Sequence, residues 1–167
     1  MLKKIFKKIK IYSTIVLIIG VAIYLAFVYN AAKSIKIVDK RIGGVNLKNP
    51  LMPDEYEVKF IIVLKNPKNT EIEVDYISYK VYIEDEYLGE GEKPHFFIEH
   101  GIKNYTFVFS FSIYNLTSSA KELLINGEAN MTIKGEIMIP LKFLSLFTWK
   151  YIKIPYTIHR KAATQQI

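Results

Sequence analysis

The chain has 167 residues, half of them hydrophobic, with 12 Tyr, 10 Phe and no Cys. That is too apolar and aromatic for a disordered chain, and it excludes disulfides, thiolate metal sites and cysteine nucleophiles. The formal net charge is +7, but Lys3, Lys4, Lys7, Lys8 and Lys10 precede the first apolar run, and the remaining 18 basic side chains face 16 acidic ones; so balanced a remainder gives no reason to expect a nucleic-acid partner.

From Ile11 to Ala32 no side chain is charged. At about 1.5 Å of rise per residue, roughly 20 residues cross a hydrocarbon core of about 30 Å. The run is apolar all round rather than on one face, which sets it apart from a core helix. Tyr12 lies at one end and Tyr24 and Tyr29 toward the other, where aromatic rings settle near headgroups. We therefore expect a basic cytoplasmic tail over 1–10 and a transmembrane helix over 11–32. By the positive-inside rule, Lys33 onward lies on the extracytoplasmic side of a cell membrane. A cleaved signal peptide needs a shorter apolar region and a small-residue cleavage site, and Tyr29-Asn30-Ala31-Ala32 is a poor match.

Ser34–Val38 follows the helix with no flexible linker, which predicts a domain held close to the membrane. Gly43-Gly44 and Asn49-Pro50 are expected turns. Tyr56–Leu64 alternates, then becomes apolar on both faces at Ile61 and Val63, as a central strand does. Asn66-Pro67-Lys68-Asn69 breaks it, because proline cannot donate to a ladder. Glu71–Ile83 reads as a long strand whose apolar residues change parity, so an irregularity is expected near Asp75–Tyr76. Glu84-Asp85-Glu86 is a polar hairpin tip, with a return strand over Tyr87–Gly91 and a short strand over His95–Ile98. A polar loop, Glu99–Asn104, precedes the most regular alternation in the chain, Tyr105–Ile113.

The period then changes. Leu116, Ala120, Leu123 and Leu124 make a helical stripe, with Thr117–Ser119 able to cap it and Gly127 placed to stop it, so a short helix is expected over Thr117–Asn126. Ala129–Ile139 returns to strand and Pro140 ends it. Leu141–Phe147 is an expected apolar loop, Thr148–Ile154 a last strand that Pro155 either limits or places at a sheet edge, and 159–167 a tail. About seven strands and one short helix over 33–158 predict a mainly β antiparallel sandwich behind the transmembrane helix.

The run Val58–Gly91 (VKFIIVLKNPKNTEIEVDYISYKVYIEDEYLGEG) resembles the WHy, or type 2 late-embryogenesis-abundant, domain. That pattern has an apolar strand closing on Asn-Pro, a long strand carrying a Tyr, a hairpin and a Gly-rich return. The later blocks are similar in order: Glu99–Asn104, Tyr105–Ile113, Thr117–Asn126, Ala129–Pro140 and Thr148–Pro155. Lys68 stands where the family often repeats Asn. The resemblance implies a fibronectin-III-like sandwich with one helix, a link to stress and desiccation tolerance, and a membrane anchor in many members. It implies no catalytic activity and no catalytic residues.

Chemical motifs are sparse. His95, His100 and His159 form no metal-binding spacing, although His95 and His100 flank one strand. Glu84, Asp85, Glu86, Glu90 and Glu92 cluster on one hairpin without a calcium-loop spacing. Gly89-Glu90-Gly91 is a lone glycine pair rather than a phosphate loop, and no hydrolase, P-loop or dinucleotide motif is present. Asn104, Asn115 and Asn130 each begin an Asn-X-Thr acceptor; Asn104 and Asn115, at strand ends, are the candidate glycosylation sites. The apolar run Leu141–Trp149 is either a connection folded into the core or a contact for lipid or a partner through Leu141, Phe143, Leu144, Leu146 and Phe147.

The sequence therefore predicts a non-enzymatic, membrane-anchored domain without a cofactor. It is either stress-protective or a binder of lipid, envelope polymer or protein. A structural subunit of an envelope assembly is the alternative reading.

Overall fold

The computed structural model describes residues 2–161. One long helix, α1 (Leu2–Lys33), opens the chain, and its Lys8–Lys33 portion is long and apolar enough to cross a membrane. Seven strands follow: β1 (Lys36–Asn49), β2 (Met52–Asn66), β3 (Ile72–Ile83), β4 (Glu86–Ile98), β5 (Gly101–Ser112), β6 (Asn130–Phe143) and β7 (Phe147–Lys161). A short helix, α2 (Ser118–Ile125), joins β5 to β6. The strands form two antiparallel sheets, β1-β2-β5 and β4-β3-β6-β7. This is the expected mainly β sandwich with fibronectin-III-like strand order.

The core lies between the sheets. Val58, Phe60, Ile62 and Leu64 of β2 point into it with no exposed surface. Val63, on the other face of β2, is buried as well, and β2 is the middle strand of its sheet, as its two apolar faces predict. Opposite lie Ile77, Val81 and Ile83 of β3 and Ile133 and Ile137 of β6, all at 0% exposure. Phe60 stacks on Phe107 at 4.9 Å and meets the edge of Tyr79 at 5.0 Å.

Burial in β3 changes parity between Val74 and Ile77, as the sequence predicts. The ladder to β4 passes over Asp75 but keeps one register on either side of it, and the register shift of this pair lies at Val81/Tyr82. The change is therefore a local twist shared by both strands rather than an inserted residue. The helix also forms as expected. Thr117 caps α2 by accepting the Ala120 N–H at 3.4 Å, Ala120 and Leu124 face the core, and Gly127 takes a left-handed φ of 71° just past the end.

Several connections differ from the sequence reading. Gly43-Gly44 is not a turn but a bulge inside β1, at the register shift between Ile42 and Gly44, where Gly44 takes φ 145°. A bulge and a turn ask for the same conformational freedom, so local sequence does not separate them. His95–Ile98 is the end of one continuous β4, and β5 starts at Gly101, which reduces the expected loop to Glu99 and His100. Pro140 does not end β6, which runs on to Phe143. Pairing of β6 with β3 stops at Met138, so Pro140 lacks its N–H where one neighbour is already gone. Pro155 lies within β7, an edge strand, where proline is tolerated. The expected apolar loop Leu141–Phe147 is the tip of a tight β6–β7 hairpin. His159, Arg160 and Lys161 continue β7 rather than fraying, and the rest of the expected tail, 162–167, lies outside the described residues.

Candidate functional site at the helix and hairpin junction

Chain direction gives the sandwich two distinct ends. α1 enters at the near end, together with the β2–β3 loop, the Glu99-His100 turn and the β6–β7 hairpin. The far end carries the β1–β2 and β3–β4 turns and α2.

Helix and strand meet without a linker. The Ser34 N–H donates to Asn30 O and Ala31 O at 3.1 Å, the Ile35 N–H donates to Ala32 O at 3.3 Å, and β1 begins at Lys36. One face of the last turns of α1 is covered: Val21, Tyr24, Leu25, Val28 and Tyr29 are half-buried, and Ala31, Ala32 and Ile35 are 4% exposed or less. That spacing is a helical stripe, and what covers it is β6 and its hairpin. The earlier apolar side chains of α1, such as Val16 at 69% and Leu17 at 65%, have no protein over them.

The hairpin runs back along the helix. The Phe143 ring meets the Tyr24 ring edge-on at 5.8 Å, and the Leu144 N–H donates to the Tyr24 hydroxyl at 3.2 Å. The Leu146 N–H donates to Phe143 O at 2.9 Å and closes the turn, with Leu144 and Ser145 both in the left-handed region at φ 47° and 59°. The Lys150 ammonium lies 5.6 Å from the centre of the Tyr29 ring, as does that of Lys33. Of the residues singled out as contacts, Leu141 is fully buried and Phe143 half-buried, while Leu144, Leu146 and Phe147 are exposed at 58%, 78% and 58%. Trp149 and Tyr151 follow on the same strand at 40% and 41%.

A crevice of about 270 Å³ separates helix from strands, lined among others by Tyr24, Phe27, Ile72, Glu73 and Lys142. The Glu73 carboxylate accepts from Lys142 Nζ at 2.5 Å and lies 2.8 Å from His95 Nε2. Burial works to raise this carboxyl, but the hydrogen bonds and charges of Lys142 and His95 outweigh it and hold it below the ordinary range. This three-residue cluster and the role of Tyr24 were not found from the sequence. The bracket was readable there: Lys142 and Lys150 enclose seven uncharged residues, FLSLFTW.

The remaining candidates are scattered. His100 contacts Lys68 O at 2.9 Å and His159 contacts the Thr132 hydroxyl at 2.9 Å, so the three histidines have separate partners. On the acidic hairpin, Glu86 accepts from the N–H and hydroxyl of Thr117, Glu84 accepts from the Asn130 N–H, and Glu90 lies 3.6 Å from Lys80. Among the described residues, no three His, Asp or Glu side chains converge on a point that could hold a metal ion. Asn104 is exposed on β5, Asn115 is exposed at the end of the turn before α2, and Asn130 is exposed at the start of β6. Gly89 and Gly91 make room for rings rather than phosphate: a Cβ at Gly89 would stand 2.9 Å from the Phe109 ring, and one at Gly91 2.3 Å from the Tyr79 hydroxyl.

No family model matches the chain, and no curated protein matches it by sequence. Solved structures do. The chain is similar to AT1g01470 from Arabidopsis thaliana, with a TM-score of 0.56 at 15% identity, over 80% of this chain and 86% of that one. This likeness shows the fold. A protein from Archaeoglobus fulgidus aligns with a TM-score of 0.48 at 12% identity, over 80% of this chain and 100% of that one. A candidate late-embryogenesis-abundant protein, At2g46140.1, aligns with a TM-score of 0.44 at 15% identity, over 95% of this chain and 87% of that one. These two scores are too low to carry an argument.

Proposed function

We propose that this chain is a non-enzymatic, membrane-anchored module of the WHy type, protecting or binding at the extracytoplasmic face of a cell membrane. The observation that carries the reading is the junction itself. A helix of membrane-spanning length continues into β1 without a linker, and its last turns are docked on β6. A sandwich so fixed stays against the bilayer instead of ranging from it on a tether. Exposed apolar side chains around the rest of α1 call for a non-aqueous surrounding.

Orientation rests on the short tail. Five lysines lie before the apolar run, and five basic residues, Lys33, Lys36, Lys40, Arg41 and Lys48, lie soon after it. The second group belongs to a long folded domain, and long domains translocate largely regardless of charge, so the tail decides. The separate partners of the three histidines and the engagement of the hairpin carboxylates in structural hydrogen bonds support a non-enzymatic reading. The order of blocks along the sequence supports the WHy kinship and, with it, a stress-protective role.

Alkaline carbonate extraction followed by protease treatment of intact cells tests this. Retention in the membrane pellet with digestion of the domain from outside is the expected result. Release by carbonate would overturn the anchor, and protection from external protease would overturn the orientation.

A further inference from the structure

We infer that the tip of the β6–β7 hairpin is a second membrane element, inserted into the leaflet on the domain's side, and that the near end of the sandwich docks on anionic phospholipid headgroups. The inference rests on the reading of α1 as a bilayer span.

Three observations carry it. The first is depth. Lys150 is placed over Tyr29, and the hairpin tip is hydrogen-bonded to Tyr24. Five residues of helix separate the two tyrosines, about 7 Å along the axis. From Lys10 to Tyr29 the helix covers about 28 Å, close to the roughly 30 Å of a hydrocarbon core. A boundary at the level of Tyr29 and Lys150 therefore fits the span, and it puts Leu144 and Leu146 about 7 Å below the surface. That matches the 5–10 Å depth typical of interfacial insertion.

The second is the chemistry of the tip. Lys142 pairs with Glu73 near the end of β6, and Lys150 stands opposite Leu141 on β7, so the two lysines are nearly level across the hairpin. Beyond them every side chain is uncharged, and Leu144, Leu146 and Phe147 are exposed. Backbone in hydrocarbon must have its hydrogen bonds made internally. The amides of Leu144 and Leu146 are both used, the first by a hydroxyl that α1 supplies. Trp149, beside Lys150, takes the interfacial place that indole rings favour.

The third is charge. Within two residues of the strand ends, the near end gathers five lysines against three glutamates, at 36, 65, 68, 103 and 142 against 71, 73 and 99, and Lys33 closes α1 beside them. By the same measure the far end has three basic residues, at 48, 160 and 161, against five acidic ones, at 54, 84, 85, 86 and 128. Lys33, Lys36, Lys65 and Lys68 pair with no carboxylate among the described residues. A domain close to neutral overall thus presents its positive end where the hairpin points, which suits negatively charged headgroups.

Trp149 is the single tryptophan of the chain, so its fluorescence reports the hairpin directly. The full chain is reconstituted into vesicles of phosphatidylglycerol mixed with phosphatidylcholine, or of phosphatidylcholine alone, with bromine at shallow or deep acyl positions. In the anionic vesicles we expect a blue-shifted emission quenched more by shallow than by deep bromine. Leu144→Glu combined with Leu146→Glu changes exposed residues only, and should lose shift and quenching while the thermal midpoint is unchanged. Lys36→Gln combined with Lys68→Gln should reduce the quenching in anionic vesicles to the phosphatidylcholine level. Water-like emission in the wild type, or quenching that survives the double glutamate variant, overturns insertion. Equal quenching in the two vesicle types overturns the headgroup assignment. Carbonate release of the wild type from these vesicles marks failure of the anchor reading instead.

Discussion

Tyr79 and Gly91 are paired across β3 and β4, and the Tyr79 ring fills the space that a side chain at 91 would need: a Cβ there would stand 2.3 Å from the hydroxyl. The pairing continues across the sheet. Gly135 lies opposite Tyr79 on β6, and Tyr156 lies opposite Gly135 on β7, giving an inward row of Gly91, Tyr79, Gly135 and Tyr156. The Tyr156 hydroxyl donates to Ser78 O at 3.0 Å, and burial together with Tyr79 raises it far above the ordinary tyrosine range. Gly91→Ala should therefore destabilise the domain by about 1–3 kcal/mol in denaturant titration, the usual cost of overpacking. Combining it with Tyr79→Leu should cost less than the sum of the two, because removing the ring removes the clash. Additivity in that cycle would show that the two positions do not share this space.

Among the described residues, Asn66, at the end of β2, is the buried polar side chain, at 0% exposure. Its Nδ2 donates to Thr70 O at 2.8 Å and Ile98 O at 3.0 Å, and its Oδ1 accepts the Lys68 N–H at 3.0 Å. One side chain thus shapes the turn after β2 and ties it to the end of β4. Asn66→Ala should cost about 2–4 kcal/mol, because buried carbonyls are left without donors. Asn66→Asp keeps the acceptor and loses both donors, so it should not restore stability. A loss below about 0.5 kcal/mol for the alanine variant would contradict this role.

Glu73 predicts an acid sensitivity. Its native carboxyl lies below its unfolded value, so the unfolded chain binds the proton more readily. Its contribution is present above the ordinary carboxylate range and is lost as pH falls through the depressed native value. The thermal midpoint of the detergent-solubilised chain should begin to fall below about pH 5. Glu73→Gln should have a lower midpoint at neutral pH and a flatter acid limb. A wild-type limb matched by the variant's would assign the acid transition to other groups.

Lys93 sits on β4 opposite the buried Ile77, so its side chain turns toward the gap between the edge strands β4 and β5. Its ammonium lies 5.3 Å from the Phe96 ring centre and 5.7 Å from those of Tyr105 and Phe107. An inward lysine on an edge strand guards against strand addition from another chain. Lys93→Met should keep folding stability within about 1 kcal/mol and increase concentration-dependent association in sizing experiments. Association unchanged from wild type would leave the lysine with a packing role alone.

Much of this fold was legible because its signals are local. The two-faced apolar run of β2, the parity change in β3, and the Thr117 cap with the Gly127 stop each follow from residues near one another in sequence. Pro140 misled, because whether a missing N–H matters depends on which neighbouring strand is still present, whereas Pro155 sits on an edge strand, one of its two expected places. Gly43-Gly44 misled because bulge and turn ask the same of a backbone. The apolar run after Pro140 is plain in the sequence, but its split into a core residue, Leu141, and an exposed tip, Leu144–Phe147, needs the hairpin's direction.

What the sequence determined by itself was the division of the chain: an uncharged helix of spanning length, strands with turn signals between them, and one short helix. These rest on periodicity and composition, which neighbouring residues fix. Only the tertiary structure decided that the last turns of α1 lie against β6, that Tyr24 binds the hairpin tip, and that Glu73 gathers Lys142 and His95. It also sorted a nearly balanced set of charges into a basic near end and an acidic far end. Those relationships join residues up to 120 positions apart, as Leu144 and Tyr24 are. They depend on how the strands are ordered and directed in space, which no local pattern specifies.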